Sequence, residues 1–263
     1  SRSGDLTYLL DGSTHTGNIE LFSFGEAVGS GTSGGAPGQA VGGNQTISFV
    51  NGANFAGDIA LSTFLGSFYS GEPDGELGSV EGGSFSLLIE NSTVDIPILD
   101  VSYASAINVA GPGFNGASVA APDFNLTITG SQVDIGDASI NLDAQGGAGG
   151  QGASGGAGLA GDIRITSDAT SNLIINDAFF SSIGTGGTGG SGISSGDGGA
   201  GGDGTGGVIE LAARGDLTLN SLIARARGIG GIGGSGAPGA QGGLGGVGTG
   251  GTGALDIVGG ASV

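Results

Sequence analysis

Short stretches in which apolar and polar residues alternate recur along this chain: TISF at 46–49, FSLLI at 85–89, FNLTI at 124–128, DIRI at 162–165, VIEL at 208–211 and ALDIV at 254–258. A period of two marks a strand with one buried face. Aligning Ile47, Leu87, Leu126, Ile163, Ile209 and Leu255 gives steps of 40, 39, 37, 46 and 46 residues. A second strand follows each of the middle ones after a short corner. FSLLIENSTVDI (85–96) aligns without a gap on FNLTITGSQVDI (124–135). Segments beginning at Val133, Leu173 and Leu217 also align without gaps, with apolar residues matched at 133/173/217, 135/175/219 and 138/178/222. The alternation changes phase before the last set, which predicts a corner or bulge. An earlier unit occupies 6–10 and 17–22.

Each repeat thus reads strand, corner, strand, excursion. No long segment carries a 3.6-residue period, and glycine or β-branched residues interrupt every helical candidate. The pattern predicts an all-β fold, a parallel β-helix (solenoid) of short strands with rungs about 4.8 Å apart. A sandwich of short strands is the alternative, but the fixed excursion point favours the solenoid. One elongated domain over 1–263 is expected, with ordinary loops in 1–123 (holding Pro73, Pro112 and Pro122) and glycine-triplet excursions in 124–263.

Those excursions keep a frame. Glycine occupies every third position at Gly230, Gly233, Gly236, Gly239, Gly242, Gly245, Gly248 and Gly251; the passage 146–161 keeps the same period, and 186–207 does so except at Ser195. Three residues per turn belongs to the polyproline-II conformation, and a bare glycine edge lets neighbouring backbones meet. Collagen needs far more proline than the six residues present. A flexible linker accounts for the composition but not for the frame, nor for Ile232, Leu244 and Val247 at third positions, which suggest packing. The excursions are therefore expected to pack on one side of the solenoid as polyglycine-II helices.

Composition narrows the functional classes. Five arginines face 24 acidic residues, a formal charge of −19, which argues against nucleic-acid and anionic-membrane binding. No apolar run approaches membrane-spanning length. The absence of cysteine removes disulfide and thiol chemistry. Surface proteins exported unfolded often lack cysteine, and no signal peptide is visible.

Candidate chemistry is sparse. His15 is the only histidine and reads as an exposed loop residue rather than part of a triad. Asp95 and Asp134 match in the alignment and would stack on adjacent rungs, a candidate polysaccharide-cleaving pair, but Ile174 ends that ladder. GGAGGDGTG at 198–206 approaches a calcium nonapeptide without a repeating neighbour, so Asp197 and Asp203 would bind calcium only loosely. Thr185, Thr188, Thr249 and Thr252 have the spacing of an ice-binding face. The Asn-x-Ser/Thr triplets at Asn44, Asn91 and Asn125 are expected by chance.

The phrases GNIELFS, GDIALST, GDIRITS and GDLTLNS, separated by glycine-rich passages, resemble filamentous-haemagglutinin-like exoproteins and autotransporter passengers. That resemblance, strongest over 124–258, implies a right-handed parallel β-helix and a role in adhesion or surface structure. The in-frame glycine tracts look more like the polyglycine-II bundles of certain phage tail-fibre tips and of a glycine-rich antifreeze protein. No catalytic or binding residue carries over from either group.

Function is accordingly expected to be non-enzymatic, extracellular and structural, with no cofactor: a secreted or cell-surface filament component or adhesin. The last repeat stops after its first strand, so copies are expected to associate end to end, with Leu255 and Ile257 pairing against Leu6 and Leu10 of the next copy. Alternatives are a tip that binds a surface glycan or receptor, a β-helix polysaccharide-active enzyme, or an ice-binding protein.

Overall fold

Alternating strands too short to stand alone must bury their apolar faces against copies of themselves, and the repeat supplies those copies. The computed structural model describes residues 1–29, 37–69, 75–194, 196–258 and 261–262. Among them every ladder is parallel and no helix occurs. Three sheets run along the stack, and each coil visits them in turn. Pro73, Ser195, Val263 and residues 30–36 lie outside the described residues.

The first sheet orders Leu6–Asp11, Gln45–Val50, Ser84–Glu90, Asp123–Thr129, Ile163–Ser167, Val208–Ala213 and Thr252–Ile257. The second continues around a corner through Thr14–Thr16 and Ile19–Gly29, Asn54–Ala56 and Ile59–Tyr69, Thr93–Ile107, Gln132–Asn141, Asn172–Thr185 and Asp216–Ile229. The third consists of two-residue pairs: Ala40–Val41, Val80–Glu81, Val119–Ala120, Gly158–Leu159, Gly204–Thr205 and Gly248–Thr249. Such pairs are too short to alternate, so this sheet is invisible to periodicity.

Inward columns form the core. Leu10, Phe49, Ile89 and Ile128 are successive rung neighbours, as are Phe55, Val94, Val133, Leu173 and Leu217, and all are buried. Each buried Phe or Leu contributes roughly 2–3 kcal/mol. Phe49 and Phe55 stack across the corner with centroids 4.7 Å apart.

Two expected alignments shift. Leu126 pairs with Ile165 rather than Ile163, and Leu255 pairs with Leu211 rather than Ile209. Each error is two residues, one full strand period, so the buried face was assigned correctly while the rung was not. The seventh coil also gains a second-sheet strand: Ala261–Ser262 pairs with Leu217 and Thr218.

The corners explain much of the polar sequence. Asn51 (φ 57°), Asn91 (φ 48°) and Gly130 (φ 58°) turn the chain from first to second sheet in the left-handed region, where Asn and Gly are the tolerated residues. Asn91 of the Asn-x-Ser/Thr triplets therefore has a corner role. The phase change occurs where the register skips Pro97, Gly136, Asn176 and Asn220. There Asn220 Nδ2 donates to Asn176 Oδ1 at 3.0 Å.

Aspartates close the coils. The carboxylates of Asp5, Asp123, Asp162, Asp143, Asp197 and Asp203 each accept a backbone N–H from the following coil, at 2.7–2.9 Å. Six of the 24 acidic residues thus supply acceptors to backbone amides of a neighbouring coil.

Candidate functional site: the glycine wall

Each glycine excursion leaves the second sheet, turns at a tip and returns to the third. Gly152 (φ +72°) and Gly239 (φ +88°) provide the left-handed conformation at two tips. Outgoing limbs stack on outgoing limbs: Gly146 N donates to Thr185 O, Gly149 to Thr188 O, Gly186 to Ile229 O, Gly189 to Ile232 O and Gly192 to Ser235 O, at 2.7–2.9 Å. Returning limbs do the same, through Gly155 to Ala200 O, Gly198 to Gln241 O, Gly201 to Leu244 O and Gly204 to Val247 O.

Two further columns stitch outgoing to returning limbs. One runs N–H to carbonyl from Gly246 through Gly231, Gly202, Gly187, Gly156 and Gly147 to Ala117, every bond 2.8 Å. The other runs from Gly243 through Gly234, Gly199, Gly190, Ala153 and Gly150 to Phe114, at 2.8–2.9 Å. Bonds in both directions join the excursions of successive coils into a wall beside the sheets.

Bareness is what permits this spacing. A Cβ added at Gly187, Gly202 or Gly231 would overlap a backbone carbonyl of the layer before. Side chains are excluded from those edges, so Ile232 (75% exposed), Leu244 (81%) and Val247 stand in solvent rather than packing as expected.

The eight in-frame glycines do not share one edge, because the chain reverses at Gly239. A Cβ at Gly230 or Gly233 would meet the returning limb at Gly246 and Gly243, one at Gly236 would meet Gln241, and one at Gly251 would meet Gly207. Gly248 faces Gly228 more loosely, at 2.6 Å. At Gly242 and Gly245 the nearest atoms lie 3.4 and 3.6 Å away. The second frame, Gly231, Gly234, Gly243 and Gly246, carries the stitching columns and was not singled out from sequence, although the doublets GG at 230–231 and 233–234 mark it.

At the coil ends, Leu6 is half-buried and Leu10 buried, while Leu255 is 48% exposed and Ile257 half-buried. Following the register, the column of Leu255 begins at Tyr8 and that of Ile257 at Leu10; Leu6 stands in the column of Gly253. Among the described residues, Leu217 and Thr218 of Asp216–Ile229 carry a rung above them.

His15 is not an exposed loop residue. It sits in Thr14–Thr16, half-buried, with its ring stacked on Phe55 at 5.7 Å and edge-on to Tyr8 at 5.8 Å. It occupies an inward column, where alternation from Thr14 and Thr16 carries it. Asp95 and Asp134 are rung neighbours on an exposed face, followed by Ile174, and Asp137 and Asp177 form a second such pair. Among the described residues no group of three acidic or histidine side chains gathers to hold a metal ion. Asp197 and Asp203 are each engaged by one amide, from Gln241 and Val247. The threonines do not form one face: Thr185 and Thr188 lie on the outgoing side of one coil, Thr249 and Thr252 on the returning side of the next.

Asp168 builds a corner of its own. Its carboxylate accepts from Ser171 Oγ at 2.5 Å, Thr170 Oγ1 at 2.9 Å and Gly130 N at 3.1 Å. The Ser171 hydroxyl first, then the Gly130 and Thr170 donors, hold it below the ordinary carboxylate value of 3.8. Burial pushes the Tyr103 hydroxyl the other way, above its ordinary 10.0. No protein-family model, curated protein or solved structure matches the chain.

Proposed function

We propose that this chain is a non-enzymatic structural element of an extracellular, cell-surface fibre or adhesin, with its glycine limbs acting as polyglycine-II helices. One observation carries the reading: the two columns of 2.8–2.9 Å bonds that tie successive excursions together. A cross-linked wall beside a packed solenoid resists bending, and resistance to load is what a surface fibre requires. Groups otherwise suited to chemistry serve the same end. His15 stacks in the first coil, and six aspartates hold amides of neighbouring coils.

In this reading copies join end to end, with Leu6–Asp11 of one continuing Thr252–Ile257 of another. Leu255 then meets Tyr8, and Ile257 meets Leu10. Negative-stain imaging across a concentration series tests the proposal. Rods that lengthen with concentration, and that stay short in Leu255→Asp, support it. Globular particles of irregular outline contradict it.

A further inference from the structure

The outer face of the second sheet carries two rows unlike the coils between them. In the first coil Glu20, Phe22, Phe24 and Glu26 alternate outward along Ile19–Gly29, with Phe22 55% and Phe24 48% exposed. In the sixth coil Ile223, Arg225, Arg227 and Ile229 alternate outward along Asp216–Ile229, all exposed. These side chains leave the stack sideways, so further coils above or below would not cover them. Among the described residues neither arginine makes an ion pair; the Arg225 guanidinium lies 5.2 Å from the Phe179 ring centroid.

The two rows occupy the same columns. The register carries Phe22 through Ser62, Ser102, Asn141 and Ser181 to Arg225, and carries Glu20 by the same steps to Ile223. Two residues further along each strand Phe24 shares a column with Arg227, and Glu26 then shares one with Ile229. At one end of the face two acids bracket two rings. At the other, two aliphatic residues bracket two guanidiniums at the same strand positions.

We propose that this face pairs with the same face of a second copy of the chain, the two stacks antiparallel about a two-fold axis along the strand direction. That axis sets the first coil of each copy against the sixth of the other and keeps every column facing itself. Phe22 then meets Arg225 and Phe24 meets Arg227 as cation–π pairs, with Glu20 and Glu26 one position to either side as counter-charges. The second coil meets the fifth, Ala60 against Phe179 and Phe64 against Ile183. The third meets the fourth, Asp100 against Ser139. Within these four columns no carboxylate faces another, although the chain carries a formal charge of −19. The contact ends at the bulge, where the next column would bring Asp58 toward Asp177. The face spans about 24 Å along the stack and about 20 Å along the strands, so pairing hides on the order of 1,000 Å² in total, the size of a reversible specific contact. The pairing is lateral and does not rest on the end-to-end joint.

Sedimentation velocity across a concentration series tests it, with two charge-reversed chains, Arg225→Glu/Arg227→Glu and Glu20→Arg/Glu26→Arg. Wild type is expected to reach a dimer, and each variant alone should pair at least tenfold more weakly because like charges then face each other. An equimolar mixture of the two should recover the dimer, since both contacts regain opposite charges. The Glu20→Arg/Glu26→Arg chain is less negative overall than wild type, so its weaker pairing does not come from bulk repulsion. Wild type that stays monomeric, variants that pair as wild type does, or a mixture that stays monomeric each overturns the proposal. Melting curves check that the exposed substitutions leave the fold intact. Where a reversed chain fails to fold, glutamine at the same two positions replaces it, with weaker pairing again expected and unchanged pairing overturning the proposal. Leu255→Asp lies off this face and should leave the dimer in place; its loss there would assign association to the chain ends instead.

Discussion

Gly202 sits at the middle of the wall, and Gly202→Ala is its sharpest perturbation. The added methyl would lie 2.6 Å from the Gly156 carbonyl carbon and closer still to its oxygen, whereas real Cβ contacts stay beyond 3.0 Å. Both neighbours are backbone, so no side chain can swing aside; the limbs must part by on the order of 1 Å, which a close-packed interior resists. Two bonds pass through this residue, Gly202 N to Gly187 O and Gly231 N to Gly202 O, each 2.8 Å. Leaving buried amide groups unpaired costs about 1–3 kcal/mol apiece. Alanine recovers about 0.4–1 kcal/mol by restricting the unfolded chain. The net loss is then about 1–5 kcal/mol, a fall in Tm of roughly 2–20 °C for a chain of this size. Thermal unfolding followed by circular dichroism measures it, with Gly250→Ala as reference because nothing lies within 4 Å of that site. The reference should melt at or slightly above the wild type. Equal melting of the two variants would refute close packing of the wall.

Asp162→Ala removes the acceptor of Val208 N and the partner of Arg164, at 2.8 and 2.6 Å. A loss of about 1–2 kcal/mol is expected in denaturant titration, and Asp162→Asn, which keeps an oxygen for the amide, should lose less. Tyr103→Phe deletes a buried hydroxyl that makes no hydrogen bond of good geometry among the described residues, although Ser105 lies near enough to oppose part of the rise in its pKa. It should stabilise by about 0.5–1 kcal/mol; a loss instead would show that the hydroxyl is hydrogen-bonded in solution. For Asp168 the sign follows from its lowered value. Its contribution is present above 3.8, its ordinary value, and is lost as pH falls through the folded value below that. Wild type should therefore lose more Tm than Asp168→Asn between about pH 5 and pH 2; equal losses would show that the corner does not depend on the charge.

Legibility followed the length of each physical period. Strands of five or six alternating residues revealed both large sheets and the phase change at Asn176. The rungs at Ile163 and Leu255 slipped because a shift of two leaves every side chain on its own face. Pairs such as Val119–Ala120 contain a single period and carried no signal. The glycine frame was visible, but which edge packs depends on where the limb reverses, and a reversal at Gly239 keeps the triplet count unbroken. His15 was misplaced because a lone imidazole looks polar in sequence, while its ring suits an inward site against Phe55. The carboxylates that accept amides from the next coil act across about forty residues, beyond any local pattern.

Amide hydrogen exchange at Gly156, Gly187, Gly202 and Gly231 asks directly whether the glycine tracts are solid. Protection approaching that of Ile135 and Leu173 in the second sheet is the expected result, since all four donate bonds of 2.8 Å within the wall. Exchange of those four amides at the rate of an unstructured peptide, beside protected strands, would show tracts that merely hang from the solenoid.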